Sequence, residues 1–230
     1  EVLVLGESQI RKQQMEQRTQ QILHAALALF CEKGIDDTSV EEVAKAAEVG
    51  PATIYRYFET KAELAVSAGI SYWQKVTDKY VGALSGENYM EKDGSSQLQC
   101  IFRILEEIFR KERLFLGFLQ EFDIFVRKYQ ISKERLTEYE DGILNLKSYV
   151  TDALDKGLGD GSLDFPYAVD EVYFTVMHML LCLMQKLSYN GSMLSSDEQV
   201  EQALQIKIAG DLILRGLGGL RSNNNRKEMV

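Results

Sequence analysis

Only two prolines, Pro51 and Pro166, occur in this 230-residue chain, and apolar residues return every three or four positions along most of it. That spacing puts them on one face of a helix with a period of about 3.6 residues, and it fits strands poorly. The chain is therefore expected to be all-α, with about nine helices. Ile22, Ala25, Ala26, Leu29 and Phe30 mark the first, over about residues 9–33, and Gly34 is placed to end it in a left-handed cap. Further stripes predict a fourth helix from Thr60 to about residue 84, a fifth over 98–109, a sixth over 114–129 and a seventh over 133–156. The run LGDGSLDFP then breaks the pattern, Pro166 opens an eighth helix, and a ninth covers about 197–217. The tail SNNNRKEMV is too polar to fold on its own.

Within this series, TSVEEVAKAAEVGPATIYRYFETK (residues 38–61) reads as two short helices joined by a tight turn. Thr38 has the side chain of an N-cap and Glu41 that of its capping-box partner. Val43, Ala44 and Ala47 share one face. Gly50 precedes the second helix, and Pro51 takes its first position, where a missing N–H costs nothing. Ile54 and Phe58 anchor that helix. Thr53, Tyr55, Arg56 and Tyr57 are left to face outward or sideways, the arrangement a helix-turn-helix needs to read a major groove. Thr60 and Glu63 repeat the capping pattern at the next helix.

These residues resemble the DNA-binding domain of the TetR/AcrR-type family of bacterial transcriptional regulators. The resemblance runs from about Ile22 to Leu64, through ILHAALALFCEKG, TSVEEVA and V-x-x-x-T-I-Y-R-Y-F-x-x-K. It implies a reading helix with Thr53 and Tyr55 near bases, Ala52 as a small apolar contact on the same face, Thr38, Tyr57 and Lys61 near phosphates, Arg56 in either role, and Ser39 and Gly50 also among the DNA-binding residues. Glu48 stands where that family's turn often has glycine, and Gly50 where Ser or Thr usually caps, a loss of a few tenths of a kcal/mol. The resemblance also implies a domain division at about 64/65. Residues 1–64 would bind DNA, and residues 65–230 would form a larger helical domain that binds an effector and dimerises.

The eighth helix is apolar nearly all round, so it must be covered on two sides. Val172, Val176, Leu180 and Leu183, with Leu204, Ile208 and Leu212 of the ninth helix, are the expected surface of a homodimer formed as a four-helix bundle. The resemblance places the dimer interface of the family there too. It further implies a cavity in the larger domain, lined here from Trp73, Phe102, Phe109, Phe118, Phe122, Tyr149, Tyr173 and Met177. Such walls suit a hydrophobic or aromatic small molecule. His178 is expected to be a satisfied interior or interface histidine.

The net charge of −9 excludes strong non-specific DNA affinity and implies that two half-sites are engaged together. Cys31, Cys100 and Cys182 lack metal or redox spacing and are expected to be small buried hydrophobes in a reducing cytoplasm. No GxSxG, HExxH or P-loop pattern occurs, so no enzyme and no cofactor or metal is expected. The opening EVLVLGES lacks the features of a signal peptide, and Val172–Met184 is too short to span a membrane. The expected function is a cytoplasmic repressor on a near-palindromic operator, released by its effector. An activator, or a scaffold acting through a protein partner, is the alternative.

Overall fold

The computed structural model describes residues 2–144, 146–189 and 195–219. Every regular element among them is helical: α1 (Val2–Lys33), α2 (Val40–Ala46), α3 (Pro51–Phe58), α4 (Lys61–Tyr80), α5 (Glu87–Met90), α6 (Gly94–Lys111), α7 (Arg113–Lys128), α8 (Lys133–Leu144), α9 (Lys147–Asp160), α10 (Val169–Tyr189) and α11 (Gln202–Gly216). Short 3-10 turns lie at Val81–Leu84 and Ser195–Glu198.

Most expected helices are present, and the differences have local causes. The helix expected over 133–156 is described as two, α8 and α9. The second runs on through Gly157 and Gly159 until Gly161, at φ 74°, ends it in the left-handed conformation. Gly157 is a contact point within it: a Cβ on Gly94 would run into the Gly157 backbone, and a Cβ on Gly157 into the Leu163 side chain. Pro166 precedes α10 and does not open it; the Ala168 N–H donates instead to the Glu171 carboxylate at 3.0 Å. The expected loop over 85–96 contains α5 and the start of α6, capped by Asp93, whose carboxylate accepts from the Ser96 N–H at 2.7 Å. The polar tail lies outside the described residues.

The chain packs as two units. The first takes the described residues up to Lys75 together with Gly117–Gly142; the second takes Val76–Leu116 and the described residues from Ile143 onward. Helices α4, α7 and α8 therefore each supply residues to both. This differs from a cut at 64/65, and aromatic packing is the reason. Phe118 of α7 lies 6.4 Å from the Phe30 ring of α1, Phe122 lies 5.7 Å from Phe118, and Tyr139 of α8 lies 4.6 Å from Phe122. Phe30, Phe118 and Phe122 are almost fully buried. Gly69 gives Tyr139 its place on α4, since a Cβ there would come within 2.9 Å of the tyrosine ring.

In the second unit α6 packs against α9 and α11, and α10 packs against the same two helices. Gly210 of α11 lets the Phe102 ring approach. The hydroxyl of Ser95 donates to the Gly219 carbonyl at 2.8 Å, and the Asp164 N–H donates to the Leu217 carbonyl at 2.8 Å, which ties down the end of α11.

Candidate nucleic-acid interface and effector cavity

The start of α2 is set by a competition within TSVEE. Both Thr38 with Glu41 and Ser39 with Glu42 satisfy the capping-box spacing, and the structure uses the second pair. The Ser39 hydroxyl accepts from the Glu42 N–H at 3.1 Å, and the Glu42 carboxylate accepts from the Ser39 N–H at 2.9 Å. Lys33 donates to the same carboxylate at 2.7 Å. The Lys33 ammonium first, and then the Ser39 N–H, hold the Glu42 carboxyl down at about 2. Thr38 is only 1% exposed, and its hydroxyl donates to the Gly34 carbonyl at 2.8 Å. It closes the α1–α2 turn, so its side chain is spent on folding and is not available to a phosphate. Ser39 is exposed at the helix start.

The turn into α3 passes through Glu48 at φ 52°, a left-handed conformation that costs a non-glycine residue about 1 kcal/mol or more. It lets the Val49 N–H reach back to the Ala44 carbonyl at 2.9 Å and so ends α2 tightly. Gly50 precedes α3 with no side-chain cap, and Pro51 occupies the first turn. Ile54 and Phe58 are buried, which fixes the rotation of the helix. Tyr55 is then 48% exposed, Ala52 and Arg56 are exposed, and Thr53 and Tyr57 are half-buried. The Arg56 guanidinium lies 5.4 Å from the Tyr57 ring centroid, which steadies both side chains.

At α4 the Thr60 hydroxyl accepts from the Glu63 N–H at 3.1 Å. The Glu63 carboxylate itself pairs with Arg135 at 2.9 Å. Lys61 donates to the main-chain carbonyl of Asp36 at 2.8 Å. Partial burial draws its ammonium below the ordinary lysine range. Asp36 is in turn held by Lys128 at 2.7 Å and by the Tyr129 hydroxyl at 2.8 Å, and these two bonds lower its carboxyl. Sequence reasoning missed this clamp, because Lys128 and Tyr129 are 92 and 93 positions from Asp36.

Of the residues expected to line a cavity, Tyr149 and Met177 lie together at one. It is a small void of about 20 Å³ in the second unit, walled by α4, the first 3-10 turn, α6, α9 and α10. Val76, Ile101, Ile104, Leu105, Ile108 and Leu146 are among its lining residues, and no charged residue lines it. Thr77 also lines it, with a buried hydroxyl that makes no hydrogen bond among the described residues. Trp73, Phe118 and Phe122 belong to the first unit. Phe102 packs on Gly210, Phe109 lies under the Arg113 guanidinium, and Tyr173 lies under Lys147. All six are buried.

Helix α10, packed on α9 and α11, buries Val172, Val176 and Leu180 and also Tyr173, Met177 and Met184 within its own unit. Val172, Val176 and Leu180 are accordingly not available to a second copy, and Leu183 is half-buried. The exposed stripe of α10 holds Phe174, His178 and Cys182. On α11, Leu204, Ile208 and Leu212 are 41%, 43% and 63% exposed. Cys182 is therefore a surface thiol, whereas burial pushes the Cys31 thiol up to about 12. No helix among the described residues is long and apolar enough to cross a membrane.

The family profile described as bacterial regulatory proteins, tetR family, matches residues 22–68. The transcriptional repressor KstR of Mycolicibacterium smegmatis is 39% identical over 67 residues, which are 29% of this chain and 33% of that protein. The chain spans only about a quarter to a half of the length of the first curated relatives it matches. Among solved structures, the TetR family regulator PfmR of Thermus thermophilus superposes with a TM-score of 0.61 at 21% identity, covering 87% of this chain and 99% of that one. The TetR family repressor FadR of Thermus thermophilus, solved with lauroyl-CoA, gives a TM-score of 0.57 at 18% identity, covering 92% and 100%. These structures share the all-helical fold with its N-terminal helix-turn-helix.

Proposed function

Since residues 22–68 are a DNA-binding domain of the tetR family of bacterial regulatory proteins, we propose that the chain is an effector-responsive repressor that grips a near-palindromic operator as a homodimer in the cytoplasm. The observation that carries this reading is the rotation of α3. Ile54 and Phe58 face inward, and Thr53, Tyr55 and Arg56 are presented together. Thr53 and Tyr55 suit base edges or a thymine methyl, and Arg56, Tyr57 and Ser39 suit phosphates. A two-fold dimer sets the two reading helices about one DNA turn apart, ~34 Å. The exposed stripes of α10 and α11 are the surface for that pairing, with Ile208 and Leu212 on α11 and Phe174 on α10.

The effector enters the void beside Thr77. An apolar wall without a charged residue favours an uncharged, largely apolar molecule with one polar group for the Thr77 hydroxyl. A void of about 20 Å³ has the space of roughly one water, so the effector must part α6, α9 and α10 as it binds. Its differential affinity for the widened state then biases α4, the helix that reaches from the void to the reading end. A scaffold that acts through a protein partner is the second reading, and the smallness of the void favours it.

Electrophoretic shift with DNA from upstream of the gene tests the main reading. Wild type is expected to give a specific complex that Tyr55→Ala and Arg56→Ala weaken at least tenfold, and Ile208→Glu should give monomers by light scattering and lose the complex. No specific complex at low salt would overturn it. A melting temperature raised by decanol but not by decanoate supports the uncharged effector; no response to decanol favours the scaffold.

A further inference from the structure

A second surface on the first unit carries chemistry that the reading helix does not use. An open groove of about 540 Å³ runs between the start of α4 and the α7–α8 corner. Its charged residues are Lys61 and Arg135, and no acid lines it, in a chain whose net charge is −9. The hydroxyl residues Thr60 and Ser132 and the ring of Tyr129, itself 53% exposed, complete the part used here. Resting on the DNA-binding reading above, we propose that this groove cradles the operator backbone outside the reading helix. It would extend the footprint through phosphate contacts from Arg135 and Lys61.

Three features support this occupant. The first is charge complementarity: both charged residues of the groove, Lys61 and Arg135, are cations, and they suit phosphate oxygens, which supply most of the affinity of a duplex for protein, while Ala62, Phe125 and Ile131 line the rest. The second is continuity, because the groove opens at Thr60 and Lys61, two and three positions beyond the end of α3 at Phe58. A backbone strand leaving the reading helix therefore meets it next. The third is preorganisation. Asp36 receives Lys61 on its carbonyl and Lys128 and Tyr129 on its carboxylate, so one wall is fixed before DNA arrives. Three nearby acids are already engaged, Asp36 in that clamp, Glu63 with Arg135 and Glu134 with the Ser132 hydroxyl. A guanidinium carries five N–H donors, so Arg135 retains some for a phosphate while it holds Glu63. The open shape favours a strand passing through over a small anion enclosed.

The test measures binding against salt concentration on two duplexes selected from the upstream DNA, one long and one trimmed by about four base pairs at each end. Arg135→Ala and Ser132→Asp are compared with wild type; Asp also caps helices, so the second change leaves α8 able to form. On the long duplex each variant should weaken binding by about tenfold. Arg135→Ala should also lower the slope of log K against log salt by about 0.9 for each phosphate released, twice in a dimer. Arg135→Lys should restore the slope. On the trimmed duplex all four proteins should bind alike. Unchanged slopes on the long duplex would overturn the proposal while leaving the reading helix intact. If inorganic pyrophosphate raises the melting temperature of wild type but not of Arg135→Ala, with slopes unchanged, the groove is a small-anion site and the proposal falls. Failure of wild type to bind either duplex overturns the DNA-binding reading itself, and this proposal with it.

Discussion

The two units bury their apolar residues in different ways. In the first, Phe30, Phe118, Phe122 and Tyr139 interlock from three helices and leave little to rearrange. In the second, aliphatic side chains from α4, α6, α9 and α10 surround a void that contains an unbonded hydroxyl. A reader must hold Tyr55 and Arg56 in fixed places, and interlocked rings do that well. A sensor must yield, and a poorly filled wall with a polar atom awaiting a partner sits closer to a second arrangement. The difference is one of packing, since both units are built from helices of the same kind.

Three substitutions sharpen or break that contrast, from the largest expected effect to the smallest. Phe118→Ala removes the central ring of the interlocked cluster and should cost ~3–5 kcal/mol in urea denaturation. A cost below about 1 kcal/mol would show that the first unit is not rigidly packed. Thr77→Val keeps the shape of the side chain and deletes the unbonded hydroxyl. It should stabilise the second unit by about 1 kcal/mol, seen as a higher melting temperature, since a buried hydroxyl without a partner is a cost. A lower melting temperature would mean that the hydroxyl is bonded, and the two cores would then be alike. Gly50→Ser adds the missing cap to α3 where a Cβ meets nothing within 4 Å. It should stabilise the reader by a few tenths of a kcal/mol. Hydrogen exchange of the α3 amides is sensitive enough to register it, and faster exchange in the variant would refute the capping argument.

Much of this arrangement was legible in the sequence, and the failures have physical causes. Period located α1, α7 and the body of α10, capping and turn residues added α2 and α3, and Ile54 and Phe58 fixed which side of α3 is outward. Local pattern could not choose between Thr38 and Ser39 as the cap, because both fit the same spacing. Burial of Thr38 in the α1–α2 turn decided it. The two apolar stripes of α10 were readable as two, but that Val172, Val176 and Leu180 turn inward together with Tyr173, Met177 and Met184, leaving Phe174, His178 and Cys182 exposed, depends on the packing of the unit. The aromatic residues expected around one cavity divide between two units for the same reason. Phe118 and Phe102 look alike along the chain, and only the fold sends one toward Phe30 and the other toward Gly210. The clamp on Asp36 left no local trace at all.

The return of Gly117–Gly142 to the first unit also bears on how the molecule can be made and divided. A ribosome releases the reading helix early, yet the rings of Phe118, Phe122 and Tyr139 that complete its support emerge some sixty to eighty residues later. Until then Phe30 lacks its stacking partner, and the nascent head must wait with part of its core open to solvent. A graft that transfers only residues 22–68 onto another protein would leave the same surface uncovered. To move the reader intact, both stretches of chain must travel together.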